Sequence, residues 1–273
     1  MSRSALSQQR LKGWKPRLSF NVIRTYPLVA SVICLVISFI LLFPSFLMTR
    51  VTYRYDDQCS EGSCTVSIPI PKTMSSPIYM YYKLNNFHQN HRRYISSFSR
   101  NQLYGNSPSE RALESDCQPL YSLNDTPLLP CGLVPNTMFN DSFSLHIEGV
   151  PLAIDNDNII WESEKKRYET NPEFSMDVES PHFISWMKIS PFSPVIKLWG
   201  VIETSIPMGD LVVEIANNFP NVEGGRKSIV LMERNAIGGN AIPLGILSLI
   251  SSICCVLMTF YFGLLGSRIE TTV

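Results

Sequence analysis

Hydrophobic residues fall along this 273-residue chain in two long runs, with a region of short, alternating segments between them. The first run, Leu28 to Met48, holds no charge over 21 positions. At about 1.5 Å per residue a helix of that length spans roughly 32 Å, matching a hydrocarbon core of ~30 Å. The second run, Ile242 to Gly266, is also uncharged. The pattern predicts transmembrane helices over residues 26–48 and 242–266. A cleaved signal peptide competes for the first run, but the polar stretch before it is long and its apolar core exceeds the usual ~7–15 residues. Arg50 and Tyr53 also stand where the small residues of a cleavage site belong, so a retained anchor is expected.

Between the spans the period drops to two. "CTVSIPI", "IYMYYKL", "SFSLHIE", "SPVIKLWGVIET", "DLVVEIANNF" and "RKSIVLME" are short runs rich in β-branched and aromatic residues. In "SFSLHIE", Phe143, Leu145 and Ile147 point one way and Ser144, His146 and Glu148 the other. Segments rich in Pro, Asn, Asp and Gly separate the runs, as turns require. The expected fold is a two-span membrane protein with a mainly β domain, an antiparallel β-sandwich with long loops and a short helix. One segment departs from alternation: Leu84, Phe87, His91, Tyr94, Ile95 and Phe98 are spaced as one face of a helix. A strand running into an amphipathic helix is predicted there, with His88, Gln89, Arg92 and Arg93 away from the apolar stripe.

Charge adds an orientation. Six of the 23 Lys and Arg residues lie before residue 25 with no acid, so the rest of the chain holds 17 against all 23 acids, a net −6. A basic head ahead of the first span places the N-terminus in the cytoplasm. Residues 1–25 then form a flexible cytoplasmic arm, 49–241 an exoplasmic domain and 267–273 a cytoplasmic tail. Cys34, Cys254 and Cys255 lie in the spans, which leaves Cys59, Cys64, Cys117 and Cys131 outside. In an oxidising compartment these read as two disulfides, for which three pairings exist; pairing of sequence neighbours is the most economical. A four-cysteine zinc site is the rival, and neither pair has C-x-x-C spacing. The sequons "NDT" at Asn124 and "NDS" at Asn140 fall in the same exoplasmic segment.

The chemistry this sequence omits narrows the function further. His88 and His91 could share a metal, but no carboxylate or cysteine accompanies them locally. Arg92 and Arg93 could hold a phosphate or pair with acids, and structural pairing is the expectation. G-x-S-x-G, H-E-x-x-H and the phosphate-loop motif are missing, and "EGGRK" at Glu223 to Lys227 reads as a hairpin turn. No residue calls for a cofactor or a nucleic-acid partner. Neither span carries an ionisable residue of the kind that pumps use for coupling. Each has instead a stripe of small residues, Ala30, Cys34 and Ser38 in one and Gly245, Ser248 and Ser252 in the other, which permits close approach of a helix. A two-span channel subunit and a stand-alone lumenal binding protein remain alternatives on topology alone; the spans offer a pore only scattered Ser, Thr and Cys.

Three longer motifs point to a family. "IYMYYKLNNFHQNHRRYISS", "CGLVPNTMFNDSF" and "EGGRKSIVLMERNAIGGNAIPLGI" resemble those of the ligand-effect-modulator, or cell-division-control protein 50, family. Its members are the non-catalytic β subunits of type IV P-type ATPases, the phospholipid flippases. The resemblance runs over roughly residues 25–266. It implies a heterodimer with an ATPase catalytic subunit, support of that subunit's folding, exit from the endoplasmic reticulum and activity, and onward passage to Golgi, endosome or plasma membrane. Catalysis and the lipid path would belong to the partner. It also implies a disulfide between Cys117 and Cys131, a glycan at Asn140, and a first cysteine region at Cys59 and Cys64, where relatives often have more cysteines. His91, Arg92, Arg93 and Tyr94 are expected to serve structure and assembly. Between "FISWMKIS" and "EGGRK" the chain is shorter than many relatives.

Overall fold

The structure is a computed structural model that describes residues 19–59, 62–124, 126–220, 224–234 and 238–270. The expected basic arm lies almost wholly outside these residues. The chain divides into a helical unit, residues 1–47 with 235–273, and a β unit, Met48–Arg234.

In the helical unit, α1 (Phe20–Leu47) and α8 (Ile242–Glu270) are long and apolar enough to cross a membrane, with mean hydropathies of 2.6 and 2.2 over their spans. Helix α1 starts at Phe20 rather than at residue 26, so Arg24 belongs to the helix and not to the arm. The two helices pack along the small-residue stripes. The Ser252 hydroxyl donates to the Ser31 carbonyl at 3.0 Å, that of Ser38 to the Gly245 carbonyl at 3.0 Å, and that of Ser248 to the Cys34 carbonyl at 2.8 Å. With only serine, glycine and cysteine at these positions, the backbones approach closely enough for such bonds. A Cβ on Gly245 would lie 2.6 Å from the Leu42 side chain.

In the β unit, the strands are β1 (Arg50–Arg54), β2 (Gly62–Ile70), β3 (Ile78–Asn85), β4 (Ser122–Leu123), β5 (Thr126–Pro127), β6 (Ser142–Ile147), β7 (Val150–Leu152), β8 (Val195–Ile202), β9 (Gly209–Asn217) and β10 (Arg226–Glu233). Two antiparallel four-stranded sheets run in the orders β1-β10-β3-β8 and β2-β9-β6-β7, and β4 with β5 forms a small hairpin. Alternation explains the layers. Ile78, Met80, Tyr82 and Leu84 of β3 face inward, as do Val66, Ile68 and Ile70 of β2 and Leu211, Val213 and Ile215 of β9. The two inner faces form one core together with Trp199, Phe139 and Trp186. The expected sandwich is what forms. The first strand pairs with the last, Arg50 opposite Met232, so the two ends of the β unit emerge side by side.

Two expectations are corrected. "EGGRK", whose Glu223 lies outside the described residues, does not close a hairpin, because β9 and β10 belong to different sheets. Nor is there an amphipathic helix from Leu84. Strand β3 continues to Asn85, Asn86 turns at φ 57°, and only a single turn, α2 (Arg92–Ile95), is helical. Leu84 is buried by strand alternation, while His91 and Ile95 are exposed and Gln89, assigned to the polar side, is 1% exposed. The 3.6-residue spacing therefore joined a strand, a turn and a short helix: Leu84, Phe87, Tyr94 and Phe98 pack on one core, but not as one face of a helix.

Candidate functional site

Four further short helices, α3 (Arg100–Leu103), α4 (Glu110–Cys117), α5 (Leu133–Asn136) and α6 (Glu162–Lys165), lie in the long loops, with α7 (Pro181–Met187) against the core. The polar stretch after β3 and the "CGLVPNTMFNDSF" stretch come together here. Tyr94 and Thr137 share a hydroxyl hydrogen bond of 2.8 Å, and the Tyr82 and Phe139 rings stack with centroids 4.0 Å apart. Ser97 is the hub. Its hydroxyl, fully buried, donates to the Cys117 carbonyl at 2.8 Å and accepts from the Leu133 amide at 2.9 Å, while its carbonyl accepts from Val134. Gly132 lies against that carbonyl at φ 108°, where a Cβ would strike backbone. The Trp186 indole closes the arrangement by donating to the Val134 carbonyl at 2.8 Å.

Disulfides join Cys117 to Cys131 and Cys59 to Cys64, so none of these four cysteines is a thiolate available to a metal. The first staples the end of α4 to the start of the "CGLVPN" turn, beside Ser97. Both sequon asparagines are exposed, Asn124 at the β4–β5 turn and Asn140 just before β6.

A second cluster had no signal in the sequence. Lys227 and Asp141 are both buried and form an ion pair of 2.9 Å. The Tyr55 hydroxyl donates to the same carboxylate oxygen at 2.6 Å, the Phe219 amide to the other oxygen at 2.6 Å, and Lys227 also donates to the Phe219 carbonyl and to Asn217. Burial, then the charge of Asp141, pushes the Tyr55 phenol far above its ordinary value. Every donor of the ammonium and both oxygens of the carboxylate are thus engaged, which is the condition for burying such a pair. Asp141 is the middle residue of the Asn140 sequon. Only tertiary structure could show that its side chain turns inward while Asn140 faces solvent.

The expected assembly residues divide. Tyr94 is half-buried and bonded; His91, Arg92 and Arg93 are exposed, and among the described residues neither arginine forms an ion pair, against the expectation of acidic partners. His182 stacks on Trp199 at 4.0 Å, and burial lowers its pKa. Lys197 on β8 is 8% exposed, and its ammonium pKa is lowered to about 8 by burial and by nearby Lys188. Among the described residues no three His, Cys, Asp or Glu side chains gather to hold a metal.

These features define a two-span membrane protein with a disulfide-stapled β-sandwich whose polar clusters bind the fold to itself. The family model of the LEM3 (ligand-effect modulator 3) and CDC50 family matches residues 44–268, and the chain belongs to that family. It is 31% identical to the "ALA-interacting subunit 3" of Arabidopsis thaliana over 93% of this chain and 83% of that one. It is 31% identical to the "Phospholipid-transporting ATPase accessory subunit LEM3" of Saccharomyces cerevisiae, over 81% of this chain and 64% of that one. It is 27% identical to the "Cell cycle control protein 50C" of Mus musculus over 94% of this chain and 91% of that one.

Proposed function

We propose that this chain is the accessory subunit of a phospholipid-transporting P-type ATPase, a non-catalytic partner that supports the folding, export and activity of the catalytic subunit. The observation that carries this reading is the family match across both the β domain and the second span, in a chain with relatives named as ATPase accessory subunits. The architecture agrees with it. The polar groups of the described clusters are consumed by internal bonds, and the outer faces of α1 and α8 present Leu28, Phe39, Leu247 and Phe260 to their surroundings, suiting them to lipid and to partner helices.

In this reading both termini are cytoplasmic and the β domain is exoplasmic, as the basic residues before α1 and the two disulfides support. Asn124 and Asn140 carry N-linked glycans, for which their exposure provides room. Exposed His91, Arg92 and Arg93 face the catalytic subunit, while Tyr94 holds the segment that presents them. The complex forms in the endoplasmic reticulum and moves on to Golgi, endosome or plasma membrane.

Affinity purification in mild detergent is expected to recover a P-type ATPase together with this chain. A preparation that repeatedly returns only this chain overturns the reading. Loss of the chain should also abolish the partner's lipid translocation, measured with fluorescent lipid analogues in cells.

A further inference from the structure

A cavity of about 610 Å³ opens in the β domain between the β4–β5 hairpin, the start of α4 and the segment at Phe174. The assembly reading makes no use of it. Its wall combines the rings of Tyr121 and Phe174 with the polar side chains of Asn106, Glu110, Ser122 and Glu173. None of those four polar side chains has a hydrogen-bond or ion-pair partner among the described residues. Among the described residues the lining holds no lysine or arginine, so it offers an anionic headgroup no counter-charge. Ring faces beside uncommitted amide, hydroxyl and carboxylate groups suit a neutral polyol: the rings cover the C–H face of a sugar, and the polar groups take its hydroxyls.

The chain supplies such a ligand itself. Asn124 is exposed at the turn joining β4 to β5, with φ 50°. Ser122 pairs with Pro127 across the hairpin, and both line the cavity. Asn124 follows β4 by one residue, in the turn of the same hairpin, so its glycan is attached beside the cavity wall. We infer that the N-linked glycan of Asn124 folds back into this cavity and packs on Tyr121 and Phe174, so that sugar covers a surface the protein leaves open. This rests on the glycosylation proposed above. Asn140, which is not part of the lining, provides the internal comparison.

The test uses the full chain made in a eukaryotic secretory host and purified in mild detergent. Glycopeptide mass spectrometry first reports occupancy; an unmodified Asn124 overturns the glycosylation reading and this inference with it. With both sites occupied, a native endoglycosidase digest is expected to release the Asn124 glycan about tenfold more slowly than that of Asn140, a difference of about 1.4 kcal/mol in protection. After reduction and denaturation the two rates should be equal. Tyr121→Ala should raise native release at Asn124 toward the Asn140 rate and leave Asn140 unchanged. Hydrogen exchange offers a readout that leaves the cavity wall intact: Asn124→Gln should speed exchange around Asn106 to Leu113 and Asn171 to Phe174, and Asn140→Gln should not. Equal native release from two occupied sites, or exchange that Asn124→Gln does not alter, overturns the inference and leaves glycosylation standing.

Discussion

Lys227 and Asp141 show how much one pair of side chains can hide in a sequence. Each reads as a surface charge in a polar stretch, yet the fold buries both and surrounds them with Tyr55, Asn217 and Phe219. Removing one partner strands the other charge, so Asp141→Asn should destabilise the β domain by about 3–5 kcal/mol. Pairing it with Lys227→Met should recover part of that loss; urea unfolding followed by tryptophan fluorescence measures both. Gly132 is a second constraint at this scale. Its positive φ and its approach to the Ser97 carbonyl mean that Gly132→Ala should cost about 1–3 kcal/mol by the same measurement. Lys197 gives a pH dependence. Its folded pKa of about 8 lies below the ordinary 10.5, so between those values the unfolded chain binds more protons and stability rises with pH. The cost of burying the cation is complete below about pH 8 and vanishes above the ordinary value. Lys197→Met should therefore raise stability at pH 7 by about 1–2 kcal/mol and remove that alkaline rise, whereas Lys197→Arg should keep the cost across the range.

Enrichment in β-branched and aromatic residues, with period-two alternation in several, made six β segments visible to sequence reading, and they became β2, β3, β6, β8, β9 and β10. Strand β1 escaped because "RVTYR" follows the first span as a short, charged run that gains its identity only by pairing with β10. The stretch after β3 misled for a related reason: apolar spacing records which residues are apolar, not whether Asn86 has already turned the chain. For Arg92 and Arg93, exposure implies that Arg92→Ala and Arg93→Ala change stability by less than about 0.5 kcal/mol. Any loss of function in those variants should appear as weaker recovery of the partner. The spans offer a geometric test. Ser31 and Ser252 place their hydroxyl oxygens 3.2 Å apart, so Ser31→Cys with Ser252→Cys should cross-link under mild oxidation in membranes, read as a mobility change on non-reducing gels. Adding Gly245→Leu should suppress that cross-link by driving a side chain into Leu42.

For the whole molecule, the sequence by itself determined the two spans, the β class of the domain between them and, through three motifs, the family. These follow from local physics: apolar length against a bilayer, alternation against a half-buried sheet, and backbone positions where glycine or cysteine is required. Tertiary structure decided which strands share a sheet, since β9 and β10 are sequence neighbours that part company while β1 and β10, at opposite ends of the domain, pair. It also decided how the histidine- and arginine-rich stretch is arranged: Ser97 and Tyr94 turn inward to hold the Cys117–Cys131 region, and the charged side chains turn out. Burial, long-range pairing and the partnering of charges depend on residues brought together from distant parts of the chain, and no local pattern encodes them.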